Sequence, residues 1–167
     1  MNRLWAPWRK TYVTKKEKER GCLFCNKLRS KNDRKNFVLS RTRYSFSLLN
    51  IYPYHNGHMM IAPNRHVDDL DKLNNKELLD LTQHLILAKK RLKQVLNPSG
   101  FNIGVNLGRA AGAGILGHTH IHIVPRWEGD YNFMPVFSDT KIISDSLESL
   151  YTQLAHANKK TSRRKRK

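Results

Sequence analysis

The chain has 167 residues, enough for one domain with a real core, and sets 31 Lys/Arg against 13 Asp/Glu for a formal net charge of +18. No run of 18 apolar residues occurs, so no membrane-spanning helix is expected, and the basic N-terminus continues into polar sequence, unlike a secretory signal. Two cysteines are too few for a secreted disulfide scaffold; reduced thiols and a cytoplasmic setting are the expectation.

The charge divides the chain. Residues 1–35 carry +9, residues 36–158 only +2, and residues 159–167 carry +7. The reading is a basic N-terminal segment with a Cys-x-x-Cys turn (1–35), a folding domain (36–158) and a basic tail (159–167). The tail has no apolar residue to offset its ordering entropy, so it is expected to be disordered. Basic ends favour polyanions, which include nucleic acid and substrates with several phosphates. A solvated tail without a dedicated partner is the other reading.

In chain order, Phe37-Val38-Leu39 and Tyr44 to Leu49 read as short strands, with Thr42-Arg43 as a hairpin turn. His58 to Ala62 is a third strand, stopped by Pro63. A helix is predicted from Asn75 to Asn97. Asn74 and Glu77 form a capping-box pattern, Leu78, Leu81, Leu85, Leu92 and Leu96 repeat at helical spacing, and Pro98 and Gly100 end it. Phe101 to Leu107 is a fourth strand, with Asn102, Gly104 and Asn106 on one face. The stretch His118 to Val124 is a fifth, and Ser144 to Ala157 a second helix. Elements of this kind give an α+β domain with an antiparallel meander. No internal repeat is evident.

The fifth strand is the most informative. His118, His120 and His122 alternate with Thr119 and Ile121, so in a strand all three imidazoles share one face, neighbours about 6.5–7 Å apart. A water-facing edge strand and a site for a transition metal are rivals. One metal at about 2.0–2.1 Å cannot reach all three without bending the strand. Phosphate chemistry is favoured, since histidine forms covalent intermediates. Flanked on both sides, His120 is the natural nucleophile, and protonated His118 and His122 would hold phosphate oxygens. The glycine-rich stretch from Gly108 through Gly112 to Gly114 lets backbone N–H groups approach phosphate, with Arg109 as a candidate contact or a plain surface residue. It lacks the Lys-Ser/Thr end of a Walker A loop.

The pattern His118-x-His120-x-His122-Ile123-Val124 resembles the signature of the histidine triad family of nucleotide hydrolases and transferases. Cys22-Leu23-Phe24-Cys25, Gly57 to Pro63 and Phe101 to Gly108 fit it too. Leu4 to Arg9 and Trp127 to Val136 most resemble the branch containing bacterial diadenosine tetraphosphate phosphorylases. The resemblance implies a five-stranded antiparallel sheet, one long and one C-terminal helix, and a homodimer joining two sheets. It implies a nucleotidyl-histidine intermediate on His120. It places a ribose contact at Asn50, a site histidine at His58 and a phosphate contact at Asn106. A turn-capping Asn50, a core His58 and a loop-bonding Asn106 are the plainer readings. Gly114-Ile115-Leu116-Gly117 replaces the family's Gln-Ser/Thr pair, which puts the usual side-chain contact to phosphate in doubt. Cys22 and Cys25 alone half-fill a tetrahedral zinc site. The resemblance completes it with His66 and His118, with buried thiols or a redox pair as alternatives. His55, His84 and His156 match no motif and are expected on helix surfaces or in loops.

Overall fold

The computed structural model describes residues 21–30, 32–130 and 145–164, with side chains described as far as Ala157. Leu4 to Arg9, Tyr131 to Val136 and residues 165–167 lie outside the described residues. The elements are α1 (Leu23–Arg29), β1 (Val38–Arg41), β2 (Ser45–Leu49), β3 (Met59–Pro63), α2 (Asn75–Leu96), β4 (Gly100–Val105), β5 (Ile121–Arg126) and α3 (Leu147–Arg164). One five-stranded antiparallel sheet has the order β1-β2-β3-β5-β4. It is therefore not a simple meander. The crossover through α2 sends β4 to the edge, where Asn102, Ile103 and Gly104 are exposed, and β5, with Ile123 fully buried, fills the gap beside β3.

Alternation along the strands builds two apolar layers. Leu49, Met59, Ile61 and Ile123 face α2 and α3, meeting Leu81, Ala88, Leu92, Leu150 and Leu154. Phe46, Leu48, Met60 and Ala62 face the other way and meet Phe24 of α1. Val38 packs on the α1 side and Leu39 on the α2 side, as strand alternation requires, and a bulge between Val38 and Ser40 then shifts the pairing by one residue. Arg41 fastens α1 from below, donating to the carbonyls of Lys27, Leu28 and Ser30 at the end of the helix. That segment was expected to be irregular; the apolar underside of Phe24 makes it helical by packing.

The capping box on α2 is present. Asn74 accepts from the Lys76 and Glu77 amides, and Glu77 accepts from the Asn74 amide. Arg65 pairs with Glu77 and holds its carboxyl down to about 2. Asn97, the expected last residue, caps the helix in the left-handed region. The buried stripe runs Glu77, Leu81, His84, Ala88, Leu92, while Leu78 is exposed. The C-terminal helix also differs. It starts at Leu147 and continues to Arg164, so residues 159–164 extend a helix where a disordered tail was expected. Leu150 and Leu154 anchor its first half, and Lys and Arg propagate a nucleated helix well. The hairpin closes one residue later than predicted, with the Thr42 amide donating to the Ser45 carbonyl around Arg43-Tyr44.

His84 corrects a surface assignment. It is 2% exposed and lies between α2 and the first hairpin. Ser45 donates to Asp80, so its oxygen accepts from His84 Nδ1–H, and His84 Nε2 faces the mutually bonded hydroxyls of Ser40 and Ser47 and accepts from one of them. Burial holds this imidazole down to about 4, against an ordinary 6.5. The folded state thus binds fewer protons than the unfolded state between those values. Its contribution is fully present above about pH 6.5 and is lost as pH falls toward 4, by up to about 3 kcal/mol. Urea unfolding at pH 7 and pH 4.5 checks this against His84→Gln, whose stability should vary less over that window. An unchanged pH dependence would contradict the assignment.

Candidate active site

The histidines form a row across the α1 face of the sheet, although only His122 lies within β5. His118 and His120 precede the strand, pinned to the segment after β3. His118 Nε2 donates to the Pro63 carbonyl at 2.9 Å and the Thr119 amide to the Val67 carbonyl at 2.6 Å. The single-faced strand predicted for the triad is therefore corrected. His118 turns toward the two cysteines, and His120 and His122 sit together with ring centroids 4.7 Å apart.

The hydrogen bonds assign the tautomers, because a carbonyl only accepts and an amide N–H only donates. His120 Nδ1 lies 3.0 Å from the His118 carbonyl and must carry the proton. Its Nε2 then holds the lone pair. His58 Nδ1 accepts from the Tyr54 amide at 3.0 Å, so His58 Nε2–H donates to His122 Nδ1 at 2.9 Å. His122 is left with Nε2–H as a donor. One imidazole with a free lone pair thus stands beside one with a fixed proton.

Burial pushes His118 and His120 below their ordinary value, and His122 down to about 4. At neutral pH all three are neutral. Protonated His118 and His122 were expected; burial disfavours that form, and His122 presents its Nε2–H instead. This favours an available nucleophile.

The remaining candidates are distributed around the row. His58 is 1% exposed and bonded into it. Gly57 makes that entry possible: its φ is +78°, and a Cβ would lie 2.5 Å from Leu96 Cδ1 and 2.9 Å from Pro125 Cγ. Asn50 follows β2, its Oδ1 capping the Tyr52 amide and its Nδ2 3.3 Å from His58 Nδ1. The turn-capping role is thus present. Asn106 is half-buried directly after Val105, which pairs with Ile121, so it leaves the ladder alongside His120. Arg109 is exposed on the loop between β4 and β5. The Gly112 amide is engaged within that loop, donating to the Arg109 carbonyl, and Gly114 lies exposed further along it.

Cys22, Cys25, His66 and His118 converge, their ligand atoms all within 4.8 Å of one another. Tetrahedral zinc needs S and N ligands separated by about 3.3–3.8 Å, close to what is present. His118 Nδ1 is 3.3 Å from Cys22 Sγ and 3.7 Å from Cys25 Sγ, and His66 Nδ1 is 3.4 Å from Cys25 Sγ. The His118 proton lies on the opposite nitrogen, held by the Pro63 carbonyl, which is how a ligating histidine is usually oriented. Burial and the neighbouring Cys22 push the Cys25 thiol up, which tells against a reactive redox pair. The donor set fits a metal ion.

Two site residues escaped the sequence reading. Phe24, between the cysteines, is fully buried with its ring 5.1 Å from His118 and 4.8 Å from His120. Tyr54 stacks on His58. Phe24 had a signal in its position inside Cys-x-x-Cys; Tyr54 had none.

Fold and site together define a sheet-borne array of buried histidines beside a cluster of two cysteines and two histidines. The family model described as "HIT domain" matches residues 31–129. An "AP-4-A phosphorylase" of Mycobacterium tuberculosis is 33% identical over 162 residues, spanning 93% of this chain and 83% of that one. An asymmetrical bis(5'-nucleosyl)-tetraphosphatase of Schizosaccharomyces pombe is 33% identical over 115 residues, 68% of this chain and 63% of that one. Among solved structures, a histidine triad family protein from Mycobacterium smegmatis, described as Zn-bound, shares the fold with a TM-score of 0.68 at 22% identity, covering 85% of this chain and 96% of that one. The chain belongs to the HIT domain family and is an enzyme of that family. No helix among the described residues is long and apolar enough to cross a membrane.

Proposed function

We propose that this enzyme cleaves dinucleoside polyphosphates such as diadenosine tetraphosphate through a nucleotidyl-histidine intermediate, with phosphate as the favoured second acceptor. The observation that carries the reading is the tautomer of His120, with Nδ1 fixed on the His118 carbonyl and Nε2 open as a nucleophile. In the first step Nε2 attacks the α-phosphorus, the P–O bond to the distal phosphates breaks, and ATP departs. His122 Nε2–H is the donor available to that leaving oxygen. In the second, phosphate attacks the AMP-histidine, releases ADP and restores His120. The names of the relatives support the substrate class, and similarity to the phosphorylase over most of the chain favours phosphate. Arg109 and the loop amides are the candidates for holding the polyphosphate, with Asn50 toward ribose and Asn106 toward phosphate.

Incubation with diadenosine tetraphosphate, with and without phosphate, tests this. ATP plus ADP, dependent on phosphate, is expected. AMP plus ATP would make the enzyme a hydrolase, and no cleavage would end the reading.

Zinc in the Cys22, Cys25, His66, His118 cluster is part of the same proposal. So is a homodimer. Among the described residues β4 pairs only with β5, and Ile103 at its edge is 47% exposed. Leu79, Ile86 and Leu87 of α2 are 59%, 46% and 53% exposed. Sedimentation should give twice the chain mass, and Ile103→Lys should shift the protein toward monomer.

A further inference from the structure

Tyr54 lies 49% exposed in the loop before β3, yet it contacts the buried end of the histidine row twice. Its amide donates to His58 Nδ1 at 3.0 Å. Its ring lies flat on the His58 imidazole, with centroids 4.8 Å apart and planes 18° from parallel, and 6.1 Å from the His122 ring.

We propose that Tyr54 is a positioning residue: its ring holds His58 in the one orientation that fixes the proton of His122. A half-turn of the His58 imidazole would exchange its nitrogens with its carbons. Nε2–H would leave His122, and Nδ1 would leave the Tyr54 amide and Asn50 Nδ2. His122 would then have no partner in this relay to specify its tautomer. The amide alone restrains one edge of the ring. The stacked phenol restrains its plane, on the side where the loop would otherwise expose it. The role in catalysis rests on the function proposed above, since it matters only if the His122 N–H hydrogen-bonds the oxygen of the leaving phosphate.

The test uses the full-length enzyme and separates the phenol from the amide, which every variant keeps. Tyr54→Ala should lower kcat for diadenosine tetraphosphate by about 10- to 100-fold, part of the effect of losing an oriented hydrogen-bond donor to the leaving oxygen, with KM within about twofold. Tyr54→Phe keeps the stack and should stay within about twofold of the parent. Tyr54→Leu covers His58 without a flat ring and should resemble Tyr54→Ala. With the 4-nitrophenyl ester of AMP, whose leaving oxygen spreads its charge into the ring and depends less on a hydrogen bond, the Tyr54→Ala deficit should shrink to a fewfold. In the ligand-free protein, proton NMR should show the His58-to-His122 N–H as a slowly exchanging signal that Tyr54→Ala loses and Tyr54→Phe retains.

A protected N–H in Tyr54→Ala would overturn the proposal. So would a raised KM with unchanged kcat, which would make the ring a ligand contact instead. Because the NMR arm needs no substrate, an inactive parent enzyme with the expected ring signals would sink the proposed function and not the contact to His58. A parent signal absent from the outset would sink the relay itself.

Discussion

His120→Ala should lower turnover by about 10⁴-fold or more while the protein stays folded and still binds nucleotide, because the proposed covalent step would lose its nucleophile. The imidazole is 4% exposed and packs on Phe24, so a cavity remains in the variant. His120→Gly with added imidazole should recover part of the rate through that space. The parent's acid limb is fixed by the same group. Burial holds His120 below the ordinary 6.5, and attack requires the neutral form. Activity should therefore hold steady down through neutral pH and fall only in the acid range. Single-turnover rates with trapping of a labelled protein adduct provide the measurement. Near-normal turnover in folded His120→Ala would remove the nucleophile assignment.

The metal cluster carries the second large effect. Purified protein should hold about one zinc per chain. Cys22→Ser should release it and lower stability by at least about 3 kcal/mol, roughly 6–12 °C in Tm for a chain of this size. The two cysteines lie at the start of α1, and the same helical turn bears Phe24, which packs on both His118 and His120. Loss of the metal should therefore also reduce turnover. Elemental analysis after chelator-free purification, with thermal melts of parent and variant, decides it. Absence of zinc would return Cys22 and Cys25 to ordinary thiols.

The two expectations differ in how far the sequence reached. Local rules carried the elements. Alternation located the strands, and Asn74 with Glu77 located the start of α2, because a capping box is satisfied within four residues. The four metal-site candidates were named correctly as a converging set, but by resemblance. Spacing alone linked only Cys22 to Cys25.

The misses share one cause. His84 read as a surface residue because its partners Ser40, Ser45 and Ser47 lie about 40 residues earlier, and a histidine's burial is settled by what covers it. Protonated neighbours were expected for His120, and burial disfavours that form in a way the sequence does not show, since desolvation depends on the packed surroundings.

The sequence by itself determined the strands and the two longer helices, the cap of α2, the charged ends and the histidine-rich chemistry, all of which depend on neighbours along the chain. Tertiary structure alone decided that β5 enters the sheet between β3 and β4. It turned His118 away from the other two histidines, toward the cysteines. It also assigned each ring nitrogen its proton. Those outcomes depend on a carbonyl at Pro63, the His58 ring beside His122 and a ring at Phe24, each brought to the triad from far along the chain by folding. No local pattern specifies which of these groups meets which ring.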